Sequence, residues 1–164
     1  AMKHFLERGE GKLINMSGRG DNGPVPLQNA YGSSKAWMRS FTLALAEEYK
    51  ESGVGIYLFK PGIVDTDMLR NVEVIRGYEK RVAALGRIIR MWGNAPDIPA
   101  EKAVWLASSA TDGKTGLVVS VFSRVQMVKG LVSEGLGHLM RRDLEEIDIE
   151  ITPVEPAILF NGKK

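Results

Sequence analysis

Tyr31 and Lys35 stand four residues apart in Asn29-Ala30-Tyr31-Gly32-Ser33-Ser34-Lys35, and Ser17 ends an apolar run upstream of them. Residues at this spacing share one helix face, with the lysine one turn beyond the tyrosine. A cation beside a phenol favours its ionised form: at about 4 Å and an effective dielectric of about 20 the attraction is about 4 kcal/mol. A phenol so placed can exchange a proton with an alcohol or a carbonyl oxygen. Taken alone, the pair more often describes a surface tyrosine beside an ordinary helix lysine. The surrounding elements must therefore carry the argument.

Residues 1 to about 8 read as the end of a helix stopped by Gly9 and Gly11, and residues 12–17 as a short buried strand. Residues 18–30, rich in Gly, Pro, Asn and Asp, have loop chemistry. A long helix is expected from Tyr31 to Lys50, with Trp37, Met38, Phe41, Leu45 and Tyr49 at three- and four-residue steps. Residues 54–60 form the next strand, closed by Pro61 and Gly62. Strand, helix, strand in this order implies a parallel pair, and parallel sheets collect ligands beyond the carboxyl ends of their strands, where Ser17 stands. Residues 66–92 are expected to form one or two helices carrying Val82, Leu85, Ile88 and Ile89. Pro99 suits the first turn of a helix over 99–109, residues 116–122 a third strand, and residues 136–147 a last helix. The class is α/β.

Gly18, Gly20 and Gly23 spell GxGxxG. A dinucleotide fingerprint needs its third glycine at the start of a helix, whose free N–H groups hold the pyrophosphate. Here Gly23 leads into Pro24-Val25-Pro26, which favours extended chain, so a phosphate loop is not expected. Arg19-Gly20-Asp21 in the same stretch reads as a chance tripeptide.

The serine, the YxxxK helix start and Pro61-Gly62-Ile63-Val64-Asp65-Thr66 after the following strand together resemble the short-chain dehydrogenase/reductase family, from residue 1 to about 120. The resemblance implies a Rossmann-like three-layer α/β fold with a parallel sheet and an NAD(P)-dependent oxidoreductase acting on a small-molecule carbonyl or alcohol. It assigns Tyr31 as general acid/base, Lys35 as its modulator and a donor to the nicotinamide ribose, and Ser17 as holder of the substrate oxygen. Pro61, Gly62, Val64 and Thr66 would line the nicotinamide and phosphate site together with Tyr31 and Lys35. At the commonest family spacing the serine precedes the tyrosine by thirteen residues, a slot held here by Gly18, while Ser17 precedes it by fourteen. A loop longer by one residue would restore Ser17. The family's glycine-rich cofactor loop, the residue that selects NAD or NADP and a catalytic asparagine all precede this point. The chain is therefore expected to be a truncated C-terminal part, one partial domain over 1–164 with 123–164 an atypical extension, weak in cofactor binding by itself.

The 164 residues, 44% hydrophobic and 26% charged, fit one globular domain. A net charge of +2 gives no electrostatic case for nucleic acid or an anionic membrane, and no apolar run approaches a membrane span. The absence of cysteine excludes disulfides and thiolate catalysis and suits a cytoplasmic protein. His4 and His138 have no ligand-spaced partners, so no metal is expected. A homo-oligomer paired through the helix that starts at Tyr31 follows from the resemblance. Two other readings stand beside the dehydrogenase. One is a non-catalytic fragment or regulatory subunit keeping that dimerisation helix; the other is a hydrolase or lyase with Ser17 as nucleophile, which lacks a placed base.

Overall fold

The computed structural model describes residues 1–140 and 147–155. The chain forms two compact units, the first made of Ala1–Gly62 and Asp97–Ser123, the second of Ile63–Pro96 and the chain from Arg124 onward. In chain order the first unit carries α1 (Met2–Arg8), β1 (Gly11–Met16), α2 (Asn29–Glu48) and β2 (Val54–Lys60). The second unit supplies α3 (Asp67–Arg70), β3 (Asn71–Ile75) and α4 (Leu85–Trp92). α5 (Asp97–Ala107) and β4 (Val118–Ser120) return to the first unit, and α6 (Arg124–Leu139) and β5 (Glu150–Val154) to the second.

In the first unit β1, β2 and β4 form a parallel sheet in the order β1-β2-β4, from Gly11↔Val54 to Met16↔Phe59 and from Leu58↔Val118 to Lys60↔Ser120. β2 lies in the middle, and an apolar run buried on both faces is what a central parallel strand requires. Val54 and Ile56 face Ala46 and Leu45 of α2, Tyr49 just beyond its end, and Met2 and Phe5 of α1. Tyr57 and Phe59 pack against Leu106 and Ala103 of α5. The two clusters on opposite faces make three layers. Ile56, Tyr57, Leu58 and Leu106 are wholly buried, each such side chain contributing roughly 1.5–3 kcal/mol. The Tyr57 hydroxyl is shared between the carbonyls of Thr111 at 2.9 Å and Lys114 at 3.0 Å, so this large polar ring is satisfied inside the core.

α2 meets the sheet through small residues. Gly32, Thr42 and Ala46 are its buried positions, and Asn15 Nδ2 of β1 donates to Thr42 Oγ1 at 2.9 Å. The apolar stripe expected from Trp37 to Tyr49 therefore splits. Leu45 and Tyr49 join the core, while Trp37 and Phe41, one residue around the helix from Met38 and Thr42, stack on each other at 5.0 Å and stay exposed.

The second unit corrects the expectation of an all-helical 66–92. After the single turn of α3, Asn71–Ile75 is a strand, paired in parallel with β5 from Asn71↔Glu150 to Ile75↔Val154. Alternation in Asn-Val-Glu-Val suits a strand, and the partner that stabilises it lies far along the chain. Asn94, six-percent exposed, bridges Val64 and accepts from Gln126 Nε2 at 2.8 Å. α4 is tied to α6 by Arg90, which reaches Glu134 Oε1 at 2.6 Å, and by Trp92 Nε1 donating to the Met127 carbonyl at 3.1 Å. The last helix thus begins at Arg124, well before the expected 136. Residues 141–146 of that expectation, the side chain of His138 and the tail from 156 lie outside the described residues. Among the described residues no helix is long and apolar enough to cross a membrane.

Candidate active site

Beyond β1 the chain makes one more sheet contact, Ser17 N–H donating to the Phe59 carbonyl at 2.8 Å, and then turns. The turn is closed by Asp21 N–H donating to the Gly18 carbonyl at 3.3 Å. Ser17 is 2% exposed, and its hydroxyl donates to Asp21 Oδ2 at 2.9 Å. The same carboxylate pairs with Lys60 at the end of β2, the two side chains being 8% and 20% exposed. Burial pushes the Asp21 pKa up, but the hydrogen bonds from Lys60 and Ser17 and the charges of Lys60 and Arg39 outweigh it and hold the carboxyl below its ordinary 3.8.

Tyr31 and Lys35 come from the first two turns of α2. Asn29 begins that helix with its own side chain accepting from Ala30 N–H at 2.8 Å, and Gly32 N–H closes the first turn on the Gln28 carbonyl at 2.7 Å. Tyr31 is half exposed. Its hydroxyl stands against Gly18, so close that a Cβ at position 18 would lie 2.5 Å from Tyr31 Oη and 3.5 Å from Lys35 Cε. The Lys35 ammonium lies 5.4 Å from the centre of the Tyr31 ring and donates to the Met16 carbonyl, at the end of β1, at 3.2 Å. The pair is thus pinned to the carboxyl end of the strand, where a parallel sheet places its chemistry.

Gly20 explains the glycine pattern. It sits at φ 98°, and a Cβ there would lie 2.5 Å from the Gly32 backbone, so loop and helix touch main chain to main chain. Only glycine fits such an approach. Gly23 is followed by further loop until Asn29, so no helix N-terminus meets the third glycine.

The remaining sequence-derived positions divide between the units. Pro61 and Gly62, the latter at φ 79°, close β2 in the first. Val64 and Thr66 are held in the second, Val64 by its bridge to Asn94 and Thr66 as the residue that opens α3, its carbonyl accepting from Leu69 and Arg70 N–H at 2.9 and 3.1 Å. Beside them Arg70 grips both oxygens of Asp65 at 2.7 and 2.8 Å and holds that carboxyl below its ordinary range. Sequence reasoning missed Asp21, Lys60 and the contact role of Gly18. One signal was present, a lone charge ending the apolar Val54–Lys60 run.

A parallel sheet covered on both faces, with a tyrosine and a lysine on the helix beyond its strand ends, defines a Rossmann-like α/β protein. The short chain dehydrogenase model matches residues 1–75, the stretch that holds Ser17, Tyr31, Lys35, Pro61, Gly62, Val64 and Thr66. The 2-dehydro-3-deoxy-D-gluconate 5-dehydrogenase of Bacillus subtilis is 35% identical over 123 residues, 74% of this chain and 47% of that protein. The 3beta-hydroxysteroid dehydrogenase 1 of Eggerthella lenta is 34% identical over 132 residues, 79% of this chain and 49% of that protein. Among solved structures, a putative NAD(P) dependent gluconate 5-dehydrogenase from Beutenbergia cavernae, with bound NADP at low occupancy, superposes with a TM-score of 0.59 at 28% identity, covering 73% of this chain and 47% of that one. The chain belongs to the short-chain dehydrogenase/reductase family. It spans about half the length of the relatives it matches.

Proposed function

We propose that this chain carries the proton-transfer machinery of an NAD(P)-dependent oxidoreductase that interconverts a small-molecule carbonyl and its alcohol. The observation that carries the reading is the meeting of Tyr31 Oη and Lys35 at Gly18, on the carboxyl end of β1. Tyr31 gives its phenolic proton to the forming alkoxide or takes one from an alcohol. Lys35 holds the tyrosine's side of the site positive and is itself fixed by the Met16 carbonyl.

The donor set fits a nicotinamide nucleotide. One of the three N–H groups of the Lys35 ammonium goes to Met16, and the others can reach ribose hydroxyls. Pro61 and Gly62, which close β2 in the same unit, take the nicotinamide side in this reading. When bound, the nucleotide supplies or accepts the hydride, and the protein supplies position and the proton. The relatives' own substrates, a sugar acid and a steroid by their names, differ too much to choose one here. Pairing of copies through α2, which exposes the stacked Trp37 and Phe41, belongs to the same reading.

A fluorescence titration with NADH and NADPH, on the 164-residue chain and on any longer product of its reading frame, tests it. Binding of either nucleotide should weaken about tenfold or more in Lys35→Met, the loss of a charged hydrogen-bond donor. Binding indifferent to Lys35 would remove that residue from the cofactor site.

A further inference from the structure

Ser17 is the residue that resemblance would place on the substrate oxygen, yet its hydroxyl is already committed. A serine has one proton to donate. Here it goes to Asp21 Oδ2 at 2.9 Å, within a side chain that is 2% exposed. The carboxylate that receives it is nearly buried, and the same oxygen, Oδ2, is paired with Lys60 of the neighbouring strand. Donation to a substrate oxygen would break this bond and leave a buried carboxylate short of a donor. The slot that does stand against the phenol belongs to Gly18, which has no side chain.

We propose that Ser17 is a positioning residue: with Asp21 and Lys60 it forms a buried strut that holds residues 17–21 on the end of β1, so that Gly18 meets the Tyr31 hydroxyl, and it does not touch the substrate oxygen. The proposal rests on the reading of Tyr31 as the proton-transfer group. The strut links the two adjacent strands from which the site hangs, since Ser17 follows β1 and Lys60 ends β2. The groups facing the Asp21 carboxylate are Ser17, Lys60 and, at longer range, Arg39.

The test uses Ser17→Ala, Ser17→Thr, Asp21→Asn and the Ser17→Ala/Asp21→Asn double variant in the enzymatically active product of the reading frame, with Tyr31→Phe as control. Ser17→Ala should lower kcat by less than about tenfold, the loss of a hydrogen bond, and Ser17→Thr should restore it. The double variant should be no slower than Asp21→Asn, because both residues act through one strut. A carboxyl NMR titration of Asp21 supplies a readout independent of turnover, and the midpoint should rise in Ser17→Ala. A fall of about 100-fold or more in Ser17→Ala, with Asp21→Asn near wild type, would overturn the proposal, as would an Asp21 midpoint unmoved by Ser17→Ala. If Asp21→Asn does not fold, the Ser17 pair and the titration decide alone. Retained turnover in Tyr31→Phe would refute the proton-transfer reading instead, and the titration would still report on the strut.

Discussion

Gly18→Ala separates the position of the Tyr31 hydroxyl from the stability of the fold. The added Cβ would lie 2.5 Å from Tyr31 Oη, against roughly 3.4 Å for an ordinary contact, so the oxygen must retreat by roughly 0.9 Å. The retreat is easy, since Oη is the far end of a half-exposed side chain and Gly18 is not among the positive-φ glycines. Strain should be about 1 kcal/mol or less, offset by the alanine's smaller unfolded-state entropy of about 0.4–1 kcal/mol. Turnover should respond very differently, because a misplacement of about 1 Å at a reacting group costs about 100-fold. The urea midpoint and kcat, measured on the same preparation, should therefore show a nearly unchanged fold and a loss of turnover between about 10- and 100-fold. In a Tyr31→Phe background the nearest ring atom, Cζ, lies 3.5 Å from the same Cβ, so alanine should be accommodated without strain. Wild-type turnover in Gly18→Ala would refute the claim that the hydroxyl's position sets the rate. A stability loss above about 2 kcal/mol would show that the loop, and not the phenol, gives way.

Two further outcomes follow from the same loop. Gly20→Ala meets the Gly32 backbone at 2.5 Å from a φ of 98°, and neither main chain can swing aside, so it should cost about 2 kcal/mol or more; a urea midpoint equal to wild type would contradict the main-chain contact. The Asp21 pKa is lowered on folding, so the unfolded chain binds the proton more readily and the carboxylate's contribution is present above its ordinary 3.8 and lost as pH falls through the folded value. The stability gap between wild type and Asp21→Asn should hold steady above about pH 5 and close below it, and a gap independent of pH down to acid unfolding would show that Asp21 is not paired.

Much of the first unit was legible because its signals are local. Val54–Phe59 is an unbroken apolar run between Gly53 and the Lys60-Pro61 stop, and the helix through Tyr31 to Glu48 lacks any breaker but Gly32. Gly9, at φ 67°, stops α1 as a glycine cap does. The second unit was less legible, since the strand that Asn71–Ile75 pairs with, Glu150–Val154, lies far along the chain. Helical periodicity in Val82, Leu85, Ile88 and Ile89 was real for Leu85–Trp92 and was carried too far upstream. In the candidate site, the spacing of Tyr31 and Lys35 revealed their shared face. The partner of Ser17 was hidden, because Asp21 gains its meaning from Lys60 on the adjacent strand and not from its own tripeptide. Trp37 and Phe41 show the same limit: periodicity found an apolar line, and packing chose the smaller residues beside it.

The central claim is that Tyr31 moves the proton in a nicotinamide-dependent carbonyl and alcohol interconversion. Its most direct measurement is the oxidation of NADH or NADPH, followed by absorbance against a panel of carbonyl substrates, in wild type and Tyr31→Phe. Turnover should fall by about 100-fold or more while cofactor affinity stays within a few fold. Equal turnover in the two proteins would contradict the account.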